Sequence, residues 1–282
     1  MNVLVTGAGG QVGRAMKRVG RTARFLSRDE LDITDAEAVE TTLAAMAPDV
    51  VVNLAAYTDV DGAEAHPAEA HRVNAAGAAT LARACEAVGA GLVHLSTDYV
   101  FDGRCGPYLP NDPANPQSQY GASKLAGEQE IRAVLPRHVI CRTSWVFGQG
   151  PENFASAILR NATLNPVLKV VDDRWGGPTP STGLAHALWR MIDQLSEDDW
   201  GTWHVAGQPW CSWYDLAKAL VQRAGLPCEV QPRRTVNGER PAVRPRDSRL
   251  DCRHTYERFG VALDWRTDLD DLVRDWETTH EA

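Results

Sequence analysis

"NVLVTGAGGQVGRAM", residues 2–16, decides how this chain folds. Its first part, VLVTG at 3–7, is an apolar, β-branched run and reads as a strand, while Gln11 to Val19 carries helical spacing. Between them, Gly7, Gly10 and Gly13 make a G-x-x-G-x-x-G turn. Such a turn bends tightly and lets the backbone approach a pyrophosphate. The anion then sits at a helix N-terminus, where unpaired N–H groups and the helix dipole favour it. Glycine-rich turns are common on their own; the strand–turn–helix context is what makes this one a dinucleotide-binding candidate.

The same alternation continues along the chain. ARFLS (23–27) reads as a strand, and Asp35 caps a helix over 36–46. DVVVNLAA (49–56) is a buried strand, followed by an Ala-rich helix through 67–88 and the strand GLVHLST at 91–97. After a loop over 102–118, a helix opens at Tyr120–Gly121 and runs to about 135, and HVICRTSWVF (138–147) is the next strand. Continuous β-branched runs alternating with helices predict an α/β fold: a doubly wound, Rossmann-like parallel sheet covered on both faces. Beyond 148 the pattern loosens into a helix over 152–163, a strand LKVVDD, a helix over 183–195, a strand at 201–207 and a helix over 213–224. The expected division is a cofactor domain at 1–148 and a smaller α/β substrate domain at 149–282, with 183–207 rejoining the first sheet. No fixed-period repeat is present, which removes solenoid folds.

Bulk properties narrow the function. At 282 residues the chain can bury a large core, and its net charge of −8 argues against general nucleic-acid affinity. No apolar run of about 18 residues suggests a membrane span. The strand-like start at residue 2 leaves no room for a signal peptide. Six cysteines without C-x-x-C pairs predict reduced thiols in a cytoplasm rather than disulfides. The eight histidines lack H-E-x-x-H spacing, and no metal is expected.

Several residues carry chemistry. The tip after the second strand reads LSRDELD, with Ser27 and Arg28 placed for the adenosine ribose. An arginine there suits a 2′-phosphate, which favours NADPH over NADH; a register slip to Asp29 or Glu30 would restore an acidic partner for a 2′-hydroxyl. Asp32 and Ile33 fall beside the adenine path. HLSTDYVFDG (94–103) closes the fourth strand, so Thr97 and Asp98 stand at a carboxyl end, where open α/β sheets bind ligands. Asp98 can equally be a turn former. In QYGASKLAGEQE (119–130), Tyr120 and Lys124 are four apart and share a helix face.

These motifs together resemble the extended short-chain dehydrogenase/reductases. More narrowly, GGQVG, LDITD, NLAAYTDVDGAE, STDYVFDG, YGASKLAGE, RTSWVFG and RPRDSRLD resemble the dTDP-4-dehydrorhamnose reductase family, in family order from residue 2 to about 275. The resemblance implies Tyr120 as proton donor to a sugar carbonyl, and Lys124 as holder of the nicotinamide ribose and depressor of the tyrosine pKa. It implies Thr97 as hydrogen-bond donor to the carbonyl, with Asp98 on the sugar. Gly10, Gln11 and Val12 would meet the pyrophosphate, and Ala56, Tyr57 and Thr58 the adenosine-ribose and nicotinamide path. Trp145 would line the sugar pocket. Some members carry an acidic residue at the strand tip where Arg28 stands.

Magnitudes qualify this picture. Moving a tyrosine from about 10 to about 7 takes roughly 4 kcal/mol. One ammonium at about 5 Å supplies on the order of 3 kcal/mol at an effective dielectric near 20. Lys124 alone falls short, and a cationic oxidised nicotinamide would supply the rest. Residues 233–253 hold seven arginines in an acidic protein, and Arg240, Arg244, Arg246 and Arg249 are candidates for a nucleotide-sugar pyrophosphate. The implied partner is a dTDP-sugar, for a monomer or homodimer. The implied activity is NADPH-dependent reduction at C4 to dTDP-L-rhamnose. Alternatives are a 4-ketoreductase of other stereochemistry, a nucleotide-sugar epimerase or dehydratase, and a non-catalytic NADP-binding subunit like the methionine adenosyltransferase β-subunit.

Overall fold

The computed structural model describes residues 1–149, 153–236 and 238–280, apart from the side chains of residues 279 and 280. Six parallel strands form the central sheet: β1 (Val3–Thr6), β2 (Arg24–Leu26), β3 (Val50–Asn53), β4 (Gly91–Thr97), β5 (His138–Thr143) and β6 (Gly201–His204). Their order is β6-β5-β4-β3-β1-β2. Every residue of β1 and β3 is buried, as expected for strands covered on both faces. Val12, Ala15 and Met16 of the first helix pack with Leu184, Leu188 and Trp189 on one face. Leu43, Leu81, Leu92 and Ile131 fill the other. Because β1 has β2 on one side and β3 on the other, the connections diverge there, leaving a crevice at the carboxyl ends of both strands.

A third apolar cluster lies in the later half, where Phe147, Leu159, Leu216, Leu220 and Trp265 come together. It joins the Phe154–Leu164, Trp213–Arg223 and Leu269–His280 helices to a small parallel pair, Val167–Val171 with Glu229–Arg233. β6 returns to the edge of the main sheet beside β5, with Gly201 opposite Val139. Among the described residues no helix is long and apolar enough to cross a membrane.

Three elements differ from their sequence reading. The run expected as one helix over 67–88 is Pro67–His71, a π-helical turn Arg72–Gly77, and Ala78–Val88. That wider turn places the buried Asn74 where its side chain clamps the Tyr57 backbone, accepting from Tyr57 N–H at 2.8 Å and donating to Tyr57 O at 3.0 Å. The strand expected over 138–147 stops at Thr143, because Trp145 takes a left-handed φ of +47°. Val146–Phe147 then pairs with Thr179–Pro180 outside the main sheet. The helix expected from 152 is Phe154–Leu164, its expected start lying outside the described residues.

The glycine turn is fixed by contact rather than by flexibility. Gly7 has φ +70°, and a Cβ there would stand 2.5 Å from the Ala55 nitrogen. A Cβ at Gly13 would stand 2.5 Å from Gly7 O, whereas one at Gly9 meets nothing within 4 Å. Gly7→Ala therefore combines a left-handed backbone with overlap and should cost on the order of 3 kcal/mol or more. Gly9→Ala should change stability by less than about 0.5 kcal/mol. Denaturant melts of the two variants check this, and equal losses would contradict it.

Candidate active site

The cofactor end begins at the glycine turn. Gly10 caps the Gln11–Arg18 helix without a side-chain hydrogen bond, and the first turn carries no acidic residue. Gly9 leaves open space beside those amides, so the turn fits a bound pyrophosphate. Val12 is itself a core residue, and Gln11 donates to Gly148 O at 3.2 Å, tying the turn to the loop after β5. Across the crevice, Ala56, Tyr57 and Thr58 follow β3 in a loop that Asn74 anchors.

At the adenosine end the acidic alternative is engaged. The N–H and hydroxyl of Ser27 donate to Glu30 at 2.8 and 2.9 Å, holding that carboxyl below its usual range. Arg28 is 70% exposed and pairs with Asp32 at 3.4 Å, while Asp32 accepts from Thr34. Arg28 thus stands as the cation at the tip. The Ile33 side chain is in the core, packed against Gly77, which leaves its backbone as the part beside the expected adenine path.

The reacting end forms where the Gln119–Val134 helix meets the end of β4. Ser118 caps this helix by accepting from Gly121 N–H at 3.1 Å. Gly121 lies directly against Tyr99 O, in a gap that no side chain could share. The Tyr99 and Tyr120 rings meet edge to face at 5.5 Å. Thr97 donates to Asp98 Oδ1 at 3.1 Å and accepts from Tyr99 N–H at 3.2 Å. Thr97, Asp98 and Tyr120 therefore meet at the end of β4, with Lys124 one helical turn along from Tyr120.

The electrostatics of this cleft differ from the sequence expectation in one respect. Burial pushes the Tyr120 hydroxyl up to about 12, with the Asp98 carboxylate adding to the rise and the Thr97 hydroxyl opposing it. Lys124 is engaged with β4 instead. The lysine is 2% exposed, and its Nζ donates to Leu95 O at 2.8 Å and faces His94 Nε2 at 3.2 Å. Burial draws Lys124 down to about 8, against a smaller upward pull from Glu128. In the free protein Tyr120 is therefore held as the neutral acid. Desolvation also lifts Asp98 to about 7, and its Oδ2 is buried without a hydrogen-bond partner.

The arginine island is not a free cationic patch. Arg244 grips Asp61 with two bonds of 2.8 Å, and Arg240 reaches the same carboxylate at 3.4 Å. This pairing joins the late loop to the Val60–Ala65 helix beside the cleft and pulls Asp61 down to about 2. Arg249 is committed to Asp247 at 2.7 Å and to Gly106 O, and lies over the Trp210 ring. Arg246 is exposed. Trp145 is held between Gly176 and a stacked Trp213 ring at 3.6 Å.

Comparisons with known proteins place the chain in a family. Residues 1–278 match the family described as the RmlD substrate binding domain. The dTDP-4-dehydrorhamnose reductase of Sinorhizobium fredii is 37% identical, over 97% of both chains. That of Mycobacterium tuberculosis H37Rv is 41% identical, over 89% of this chain and 85% of its own. The chain belongs to the dTDP-4-dehydrorhamnose reductase family. A solved structure of the Bacillus anthracis dTDP-4-dehydrorhamnose reductase in complex with NADP superposes with a TM-score of 0.91 at 32% identity, covering 97% of this chain and 99% of that one.

Within this reductase fold some residues at the site went unread in the sequence. Arg174 donates to Thr235 at 3.0 Å, sits near Tyr99 and Arg244, and keeps one buried guanidinium nitrogen unpartnered. Its neighbour Trp175 is 43% exposed. Glu128 is fully buried between Arg142 at 2.7 Å and Arg132 at 2.8 Å, one turn beyond Lys124. His94 and Asn53 are buried behind the lysine.

Asp98 gives a pH test. Its folded pKa of about 7 lies above the ordinary 3.8, so the stability tied to its protonated form is complete below about pH 4 and lost as pH rises through 7. Burying the charge costs about 4 kcal/mol at pH 8. Asp98→Asn should stabilise the ligand-free protein by a few kcal/mol at pH 8 and by only about 1 kcal/mol at pH 4.5, measured by denaturant titration. A stability difference independent of pH would contradict this.

Proposed function

We propose that this chain reduces the C4 ketone of dTDP-4-dehydro-L-rhamnose to dTDP-L-rhamnose with NADPH. The observation that carries the reading is the meeting of Thr97, Asp98 and Tyr120 at the end of β4, with Lys124 one helical turn along, in a fold with an uncapped glycine turn. Family membership and the NADP complex of the Bacillus anthracis relative support it. Arg28 at the strand tip supports a 2′-phosphate, with Gly7, Gly10, Gln11, Val12 and Gly13 at the pyrophosphate.

Bound NADPH supplies the hydride to C4. Negative charge then builds on O4, and the protein's task is to neutralise it. Tyr120, protonated with a pKa of about 12, gives its proton to an oxygen that is far more basic as an alkoxide. Thr97 turns its hydroxyl from Asp98 to the same oxygen. The unpartnered Asp98 Oδ2 accepts from a sugar hydroxyl and fixes the ring's orientation. Lys124 lies one helical turn beyond Tyr120, in position for the nicotinamide ribose hydroxyls. Arg174 and Arg244, both beside Tyr99, are the cations nearest the cleft for the diphosphate. The six cysteines are free thiols, in keeping with work in a reducing cytoplasm.

The test mixes purified protein, NADPH and enzymatically generated dTDP-4-keto-L-rhamnose, following absorbance and identifying the product. NADPH consumption with dTDP-L-rhamnose is the expected result. A talose-configured product would keep the chemistry and change the substrate assignment, and no NADPH loss by folded protein would overturn it. Tyr120→Phe should lower turnover by about 10²–10⁴-fold while leaving NADPH affinity within about twofold. Equal loss of both would make Tyr120 structural.

A further inference from the structure

The hydrogen bonds behind Lys124 constrain its protonation as well as its position. Asn53 is 1% exposed, and its Oδ1 accepts from the backbone N–H of Ala55 at 3.1 Å and from the Thr6 hydroxyl at 2.8 Å. A backbone N–H is a donor and nothing else, so the carbonyl end of this amide must face β1. The NH₂ end therefore faces His94 Nδ1 at 2.9 Å. It can only donate, and Nδ1 must accept.

His94 is buried too, and desolvation holds its pKa well below the ordinary value. The ring is neutral and has one N–H. With Nδ1 accepting, that proton is on Nε2, which points at Lys124 Nζ across 3.2 Å. An ammonium has three donors and no acceptor, so it would meet this N–H donor to donor. An amine offers a lone pair there and can still donate to Leu95 O.

We infer that in the ligand-free protein His94 carries its proton on Nε2 and directs it at Lys124, so that the ammonium is disfavoured and the amine forms at lower pH than in an exposed lysine. The groups around the lysine are consistent with this. On its own helix, Glu128 one turn on would favour the ammonium, but Arg142 and Arg132 already pair with it. Tyr120 lies one turn back and is neutral. From β4 come His94, the Leu95 carbonyl and, at its end, Asp98; from β3 comes Asn53 behind the ring. Asn53 and His94 are positioning residues acting through Lys124. For the reduction proposed above, on which this consequence rests, a lysine whose ammonium is disfavoured does less to draw the proton from Tyr120. The inference about protonation itself rests on the geometry.

The experiment is NMR on the full-length, ligand-free protein, so its outcome is independent of whether the sugar assignment holds. Long-range ¹H–¹⁵N spectra of ¹⁵N-histidine protein, with His94 assigned by His94→Gln, should show Nε2 protonated and Nδ1 unprotonated. Lysine ¹³Cε titration, with Lys124 assigned by Lys124→Arg, should give a midpoint of about 8. In Asn53→Asp the new carboxylate accepts from the ring, moves its proton to Nδ1 and makes Nε2 an acceptor. The Lys124 midpoint should then rise by at least about one unit. An Nδ1–H tautomer or an imidazolium in the unsubstituted protein would overturn the inference, as would an unchanged Lys124 midpoint in folded Asn53→Asp. If that variant fails to fold, the tautomer of the unsubstituted protein decides alone.

Discussion

The site depends on the insertion of one helix face into the interior beside β4. Putting Lys124 at 2% exposure removes its amine from water, a cost that must be met locally. Leu95 O accepts from it, His94 faces it, and the Asn53 amide fixes His94 in turn. The same docking buries Glu128, which Arg142 and Ser96 satisfy from β5 and β4. Glycines make the approach possible, since Gly121 lies against Tyr99 O and Gly127 against Asn74 O with no room for a side chain. Tyr120 is carried into the cleft by these contacts. Its raised pKa follows from the burial that holds the helix in place.

This burial gives the pair a direction. A lysine in water near a tyrosine would stabilise the tyrosinate. A desolvated lysine, drawn to about 8 and turned towards Leu95 and His94, contributes little to that. The carboxyl of Asp98, raised to about 7, works the same way, because its charged form further disfavours a tyrosinate. A reductase consumes a proton at each turnover, and a site that keeps its acid protonated across the neutral range suits that task.

What the sequence revealed was local, and what it concealed was distant. The glycine turn, the Asp35 cap and the Tyr120–Lys124 spacing each involve neighbours within one element, so residue type and period disclose them. Asp61 and Arg244 lie 183 positions apart, and nothing in either segment announces their pairing. Seven arginines in a short span looked like a phosphate patch, yet Glu239, Asp247 and Asp251 pair with three of them from inside the span and Asp61 and Asp172 reach others from far along the chain. The break in 138–147 depends on a left-handed Trp145 locked between Gly176 and Trp213, a packing constraint invisible to strand propensity. Ile33 read as cofactor-facing because its loop lies near the adenine path, yet Gly77 leaves a space that its side chain fills.

The central claim is that the free protein keeps Tyr120 protonated. Titration of ¹³Cζ-tyrosine signals, with Tyr120 assigned by its loss in Tyr120→Phe, tests this directly. The account predicts a Tyr120 signal that stays in the phenol position through pH 9 and moves only towards its midpoint of about 12. A tyrosinate signal growing in near pH 7 would contradict it and restore Lys124 as the group that depresses the tyrosine.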